Sequence, residues 1–363
     1  MVKSGLTNLI GVKYPVIQAP MAGGPTTTEL VAAVSNAGGL GMIGAGYMKS
    51  DQIREQIREI KQLTGRPFGV NLFVPTPYKN DEEALEKARD WLEPFKEQMA
   101  VQEGDLKIPN YHDDLETFLQ QIEVMIEEKI PVCSFTFGIP SVNILSSLKQ
   151  NSIFTIGTAT TVTEAILVEK AGFDAVVLQG SEAGGHRGTF HKGDTESLIG
   201  LFSLIPQTAD RIQIPIIAAG GVMDGRGLIA AQSLGAQAVQ MGTAFLVCEE
   251  SGASQEYKMA ILEAGEDQTE LTKAFSGKLA RGIRNEFISG LKAVENQLPP
   301  YPVQNALTKG IRKEAARQKN REFLSLWSGQ SPRLAKLQSA QELMEKMIRE
   351  AEQTKAMLLN QQQ

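Results

Sequence analysis

Apolar positions along the chain fall into short runs separated by amphipathic stretches. The runs Val16–Ala19, Gly41–Ile43, Phe68–Phe73, Val132–Phe137, Ile153–Ile156, Ala175–Leu178, Ile214–Ala219 and Ala238–Met241 are mostly apolar throughout rather than alternating. Such runs read as strands covered on both faces. Between them, Glu29–Ala37, Gln52–Leu63, Thr163–Lys170 and Gly227–Leu234 carry helical patterning, and Gly38, Gly172 and Gly235 stand where helix C-termini favour glycine. βα units repeated in this way over roughly 250 residues predict an α/β TIM (β/α)8 barrel across residues 1–245. A doubly wound parallel sheet is the alternative that periodicity alone leaves open.

Two stretches break the rhythm. From Pro75 to Lys129 the chain is too long for a single connection: Asp81–Ala100 reads as a charged amphipathic helix, and the polar part from Glu103 to His112 as irregular. After Thr243 the alternation ends. Residues 246–325 predict a second, smaller and mostly helical lobe or lid, with a Pro-rich turn at Leu298–Pro302 and no convincing strand. Residues 326–363 predict a C-terminal helical segment, amphipathic from Ala340 and running out into Gln361-Gln362-Gln363.

Composition narrows the classes. The 363 residues are 42% hydrophobic and 21% charged, as in an ordinary soluble globular protein. A net charge of -6 gives no reason to expect nucleic acid or an anionic membrane as partner. No uncharged apolar run reaches the ~18 residues of a membrane span, and the opening Met1–Thr7 lacks a signal-peptide pattern. The expected location is therefore the cytoplasm. Two isolated cysteines, Cys133 and Cys248, suit a reducing compartment. Three histidines without metal-ligand spacing predict no metal site. Redox chemistry would need an organic cofactor. Nothing in the sequence speaks to oligomeric state.

Candidate chemistry gathers at the ends of the late strands. Ile216-Ile217-Ala218-Ala219 runs into Gly220-Gly221, and Ala238-Val239-Gln240-Met241 into Gly242-Thr243. Glycines there let backbone N–H groups approach an anion, and the loops after the last two strands are where TIM barrels bind phosphate. After the sixth strand, Gln179-Gly180-Ser181-Glu182-Ala183-Gly184-Gly185-His186 presents one histidine among small residues, suited to proton transfer or to hydrogen bonding with an anionic substrate. Asn71 lies within the apolar third strand and Gln179 closes the sixth. Each carboxamide needs a partner, either backbone or the alternating donors and acceptors of an isoalloxazine edge. His112 and His191 read as surface residues and Cys133 as a buried inert thiol. Glu182 and Arg187 are candidates for a structural pair. Arg281 and Arg284 either fold over the site or form a solvated turn.

Taken in order, Pro20-Met21-Ala22-Gly23, Ser35–Gly41, Gly69-Val70-Asn71, Glu182–Gly188, Ala218–Gly221 and Gln240–Thr243 resemble the nitronate monooxygenases, formerly called 2-nitropropane dioxygenases. The resemblance runs from about Tyr14 to Pro332. It implies a TIM barrel with non-covalent FMN, held by Met21, Ala22, Asn71, Gln179, Gly184, Gly220, Gly221, Gln240, Met241, Gly242 and Thr243. It also implies O2-dependent oxidation of alkyl nitronates, propionate 3-nitronate among the candidates, to carbonyl compounds and nitrite through one-electron transfer to the flavin. His186 matches the family's active-site histidine, holding the nitro oxygens or removing an α-proton. NAD(P)H-dependent FMN reductases, acting on enoyl-acyl-carrier proteins or quinones, share much of this pattern. The segments Cys133–Pro140 and Ala274–Gly282, with the long insertion, look closer to the nitronate enzymes. A phosphate-binding barrel without flavin is the reading from another class.

Overall fold

The computed structural model describes residues 4–102, 107–191, 193 and 195–360. Its strands in chain order are β1 (Val16–Gln18), β2 (Gly41–Gly44), β3 (Phe68–Phe73), β4 (Val132–Thr136), β5 (Phe154–Ala159), β6 (Ala175–Gln179), β7 (Gly185–His186), β8 (Ile216–Ala219), β9 (Ala238–Met241), β10 (Thr269–Thr272) and β11 (Ala280–Ile283). Eight of them form one parallel sheet in the order β1-β9-β8-β6-β5-β4-β3-β2. The sheet curls until its edges meet: Gln18 N–H donates to Leu40 O and Leu40 N–H to Val16 O, both at 3.0 Å. The result is the α/β barrel expected from the strand pattern.

Two apolar layers hold the barrel. Inside it, Ile17, Met42, Val132, Ile156, Val177, Ile217 and Ala238 pack with Leu6 and Ile10 of a short helix, Gly5–Ile10, that the sequence reading did not anticipate. Outside, the strands meet the apolar faces of the surrounding helices. In Ser50–Leu63, for example, Ile53, Ile57 and Ile60 recur at helical spacing and all three are fully buried. Several helices start on side-chain caps, including Thr27 to Leu30 N–H, Thr161 to Glu164 N–H and Asn110 to Asp113 N–H.

The long insertion divides between two cores. Helix Glu82–Gln98 contributes Leu85, Ala88 and Leu92 to a cluster with Phe275, Phe287, Ile288, Val303, Ile311 and Phe323. Helix Tyr111–Glu127 returns to the barrel through Phe118, Ile122 and Met125. Of the stretch expected to be irregular, residues 103–106 lie outside the described residues, while Tyr111 and His112 already belong to this second helix. Residues 361–363, the expected end of the terminal helix, are also outside them. Helix Ala340–Asn360 packs against helices Thr28–Asn36 and Gly225–Ser233 and so occupies the barrel's eighth helical position. That crossing is close: a Cβ on Gly225 would lie 2.2 Å from Ala351 N.

The expectation of no strand between 250 and 325 is corrected. β10 and β11 form an antiparallel pair, and β11 also pairs with β7, the segment that carries His186. These strands are only four and two residues long, too short for a period-two pattern to stand out among helices.

Candidate active site

One cavity of about 1440 Å³ opens at the C-terminal ends of the barrel strands, beneath the second lobe. Met21, Ala22, Asn71, Gln179, Gly184, His186, Gly220, Gly221, Gln240, Met241, Gly242 and Thr243 all line it. The fold therefore brings together His186 and every residue expected to hold the cofactor, although they are scattered across more than half of the chain.

The glycine turns form one wall. Gly220 and Gly221 follow β8 with φ of 142° and 65°, conformations that L side chains rarely adopt. A Cβ at Gly221 would find its nearest neighbour at 3.4 Å and one at Gly242 at 3.7 Å, so glycine here keeps space open next to backbone. Among the described residues, the N–H groups of Gly221 and Gly242 have no protein acceptor. Unpartnered amides at a cavity wall suit an anion. The Thr243 hydroxyl accepts from Gly329 N–H at 3.0 Å, tying this wall to the loop after the lobe.

The two carboxamides are less free than the sequence suggested. Gln179 Nε2 donates to His186 O at 2.9 Å, and its Oε1 accepts from Gly188 N–H at 2.7 Å. Its amide thus clamps the histidine loop, leaving one N–H and one lone pair for anything else. Asn71 Nδ2 donates to Ser134 Oγ at 2.8 Å and Thr136 Oγ1 at 3.1 Å, hydroxyls from the neighbouring strand β4.

His186 is fixed from several sides. Its Nε2 lies 2.8 Å from Ser276 Oγ, and its ring packs among Phe137, Tyr301 and Trp327 at centroid separations of 5.3–6.0 Å. Burial, reinforced by the nearby Lys278 and Arg312 cations, pulls the imidazole down to about 3, so it is neutral at pH 7. The adjoining Arg187 is fully buried and donates to the carbonyls of Gln179, Gly180 and Ser197. Beyond the histidine, Glu164 gathers the chain. Its Oε2 accepts from Thr160 N–H and Oγ1–H, and its Oε1 from Thr189 Oγ1–H, Phe190 N–H and His191 N–H, all within 2.9 Å.

The remaining candidates resolve individually. Glu182 accepts from Leu201 N–H at 2.8 Å, at the start of helix Leu201–Ala209. Arg281 is buried in β11 and donates to Ser181 O at 3.0 Å, whereas the more exposed Arg284 pairs with Glu270. The first thus braces the loop after β6 and the second lies at the surface. Cys133 is fully buried, and burial raises its thiol. His112 and His191 are exposed. Sequence reasoning missed the lobe's share of the cavity, Lys278, Tyr301, Arg312 and Trp327, and the buried Ser276 behind His186. The only hint was the pair of segments at Ala274–Gly282 and Leu298–Pro302. Among the described residues no acidic, histidine or cysteine cluster suits a metal, and no helix is long and apolar enough to cross a membrane.

A sequence profile described as nitronate monooxygenase matches residues 3–350. A probable nitronate monooxygenase of Staphylococcus haemolyticus (strain JCSC1435) is 52% identical over 355 residues, covering 97% of each chain. A counterpart from Staphylococcus aureus (strain Newman) is 49% identical over 352 residues, covering 97% of this chain and 98% of the relative. Among solved structures, nitroalkane oxidase from Streptomyces ansochromogenes superposes with a TM-score of 0.90 at 38% identity, covering 98% of this chain and all of that one. FabK from Thermotoga maritima gives 0.79 at 32% identity and 99% coverage of both chains.

Proposed function

Since the chain belongs to the nitronate monooxygenase family, we propose that it oxidises alkyl nitronates with O2 to carbonyl compounds and nitrite, using FMN. The observation that carries this reading is the corner around His186, where a neutral imidazole stands beside Lys278 and Arg312 in the same cavity as the glycine turns. Lys49, Lys107, Lys278, Lys309 and Arg312 line that cavity, against Asp114 as the sole acidic lining residue among those described. A positive lining concentrates anions, and both a nitronate and a cofactor phosphate are anions.

The residues present fit FMN. The amides of Gly221 and Gly242 would take the phosphate, and the polar atoms left over on Asn71 and Gln179 would meet the ring edge. Met21, Ala22, Gly184, Gly220, Gln240, Met241 and Thr243 complete the proposed contacts. FMN, when bound, supplies the redox chemistry by accepting an electron from the nitronate. The protein's own part is to bind, orient and manage protons. Lys278 and Arg312 attract the anionic substrate, and Phe137, Tyr301 and Trp327 restrict water around it. His186 takes the α-proton when a neutral nitroalkane is offered: the C–H bond breaks, its electron pair passes into the nitro group, and the proton goes to the imidazole.

The likeness to FabK supports a second reading, an NAD(P)H-dependent reductase. Two assays on the purified holoprotein separate them. With propyl nitronate and air, nitrite should accumulate; with NADH and a quinone or an enoyl thioester, absorbance at the NADH band should hold steady. Rapid NADH loss with no nitrite would overturn the proposal in favour of the reductase. A protein that stays colourless after incubation with FMN would overturn the flavin.

A further inference from the structure

Ser276 sits at the turn between β10 and β11 and is 1% exposed. Its hydroxyl oxygen has three neighbours at hydrogen-bond distance: His186 Nε2 at 2.8 Å, Lys278 O at 3.1 Å and Lys278 N at 3.3 Å. Two of these have fixed roles. A carbonyl oxygen only accepts and an amide N–H only donates. A hydroxyl has a single hydrogen and two lone pairs. If that hydrogen serves Lys278 O, one lone pair takes the Lys278 amide and the other is left for the histidine. All three contacts are then satisfied at once, provided that Nε2 carries a hydrogen. With the opposite tautomer the hydroxyl would have to donate to Nε2 and abandon the carbonyl.

We propose that Ser276 is a positioning residue that locks His186 in the Nε2–H tautomer and so leaves Nδ1 as the atom that accepts a proton from substrate. The inference rests on the role assigned to His186 above and makes it more specific. A neutral imidazole whose only N–H is spent on Ser276 has none to offer a nitro oxygen; its free lone pair can only accept. Holding the anion then falls to Lys278 and Arg312, and His186 is reserved for the α-proton of a neutral nitroalkane. The backbone supports this division. His186 pairs through β7 with Ala280 of the lobe strand β11, and Gln179 Nε2 from barrel strand β6 holds its carbonyl, so its main chain is fixed from both sides while Ser276 meets the ring. Among the described residues Nδ1 has no protein partner. The depressed imidazole, at about 3, means that a single neutral tautomer can persist across the physiological range.

The test is a long-range proton–nitrogen correlation spectrum of holoprotein labelled with 15N-histidine. Only three imidazoles contribute, and His186→Asn identifies the relevant one by its disappearance. The expected result is a neutral ring with a protonated Nε2 and a bare Nδ1, unchanged from pH 8 to pH 5. In Ser276→Ala a second population protonated at Nδ1 should appear, and kcat/KM for nitroethane should fall about tenfold, more than that for ethyl nitronate. Ser276→Thr, which keeps the hydroxyl, should restore both. A wild-type ring protonated at Nδ1 would overturn the proposal without recourse to any variant, as would a Ser276→Ala spectrum identical to wild type. Failure to form nitrite from propyl nitronate would remove the functional reading while leaving the tautomer result standing.

Discussion

Exchanging one buried oxygen for nitrogen at Glu164 offers a sharp test of how the histidine loop is held. The carboxylate is fully buried and accepts five hydrogen bonds from Thr160, Thr189, Phe190 and His191. In Glu164→Gln one of those acceptors becomes an NH2 group. Placed toward Thr160, it faces an amide N–H that cannot accept; leaving that donor unsatisfied costs about 1–3 kcal/mol. The bonds that survive lose their charge assistance, at a cost of roughly another 1 kcal/mol. A total near 3 kcal/mol corresponds, for a chain of this size, to a fall of about 4 °C in Tm. The pH dependence fixes the cause. Burial pushes the Glu164 carboxyl up, but the donors around it outweigh burial and hold it below 4.5. A depressed carboxyl stabilises the fold above its unfolded value and loses that contribution as pH falls through the folded one. The gap in Tm between wild type and variant should therefore be full at pH 7 and narrow below pH 4.5. Differential scanning calorimetry of the two holoproteins measures both. A gap under about 1 °C at pH 7, or one that is undiminished well below pH 4.5, would refute the reasoning.

Other outcomes follow from the same geometry. His186→Asn should reduce turnover of neutral nitroalkanes far more than FMN retention, followed by nitrite release and flavin absorbance; equal loss of both would count against its role as base. Since the imidazole is drawn down to about 3, nitronate oxidation should show no inflection near the ordinary histidine value of 6.5, and a His186-dependent step there in a pH–rate profile would contradict the electrostatic argument. Gly221→Ala places a Cβ on a residue with φ of 65°, a strain of about 1–2 kcal/mol on the proposed phosphate cradle. It should weaken FMN binding about tenfold in a fluorescence titration, and unchanged affinity would remove Gly221 from the cradle.

The barrel was legible because buried parallel strands are written as unbroken apolar runs, and all eight runs became strands of the closed sheet. The glycine turns were legible as turns, since a glycine pair directly after such a run marks a conformation that other residues rarely adopt, and they do line the cavity. The partners of Gln179 were not. Whether a carboxamide at a strand end meets a ligand or the backbone seven and nine residues onward depends on how the loop folds back, which local sequence does not determine. Ser276 was hidden differently. A serine near a glycine turn is commonplace, and its contact with His186 spans 90 residues. The packing of helix Glu82–Gln98 against the lobe was invisible as well, since its amphipathic face gives no sign of which core it will join.

The close crossing of Gly225 and Ala351 bears on the order in which the molecule is made. Strand β9 ends at Met241, yet the helix that fills the eighth outer position, against helices Gly225–Ser233 and Thr28–Asn36, begins only at Ala340, after the whole lobe has been traversed. On the ribosome, all eight barrel strands emerge before their last cover. Until then the face of helix Gly225–Ser233 that meets Ala351 at Gly225 has no cover from the Ala340–Asn360 helix. The lobe that shapes the active site is synthesised during that interval. Every described residue that lines the cavity is therefore made before the helix that closes the barrel wall, so that helix is a fastening supplied after the parts it fastens.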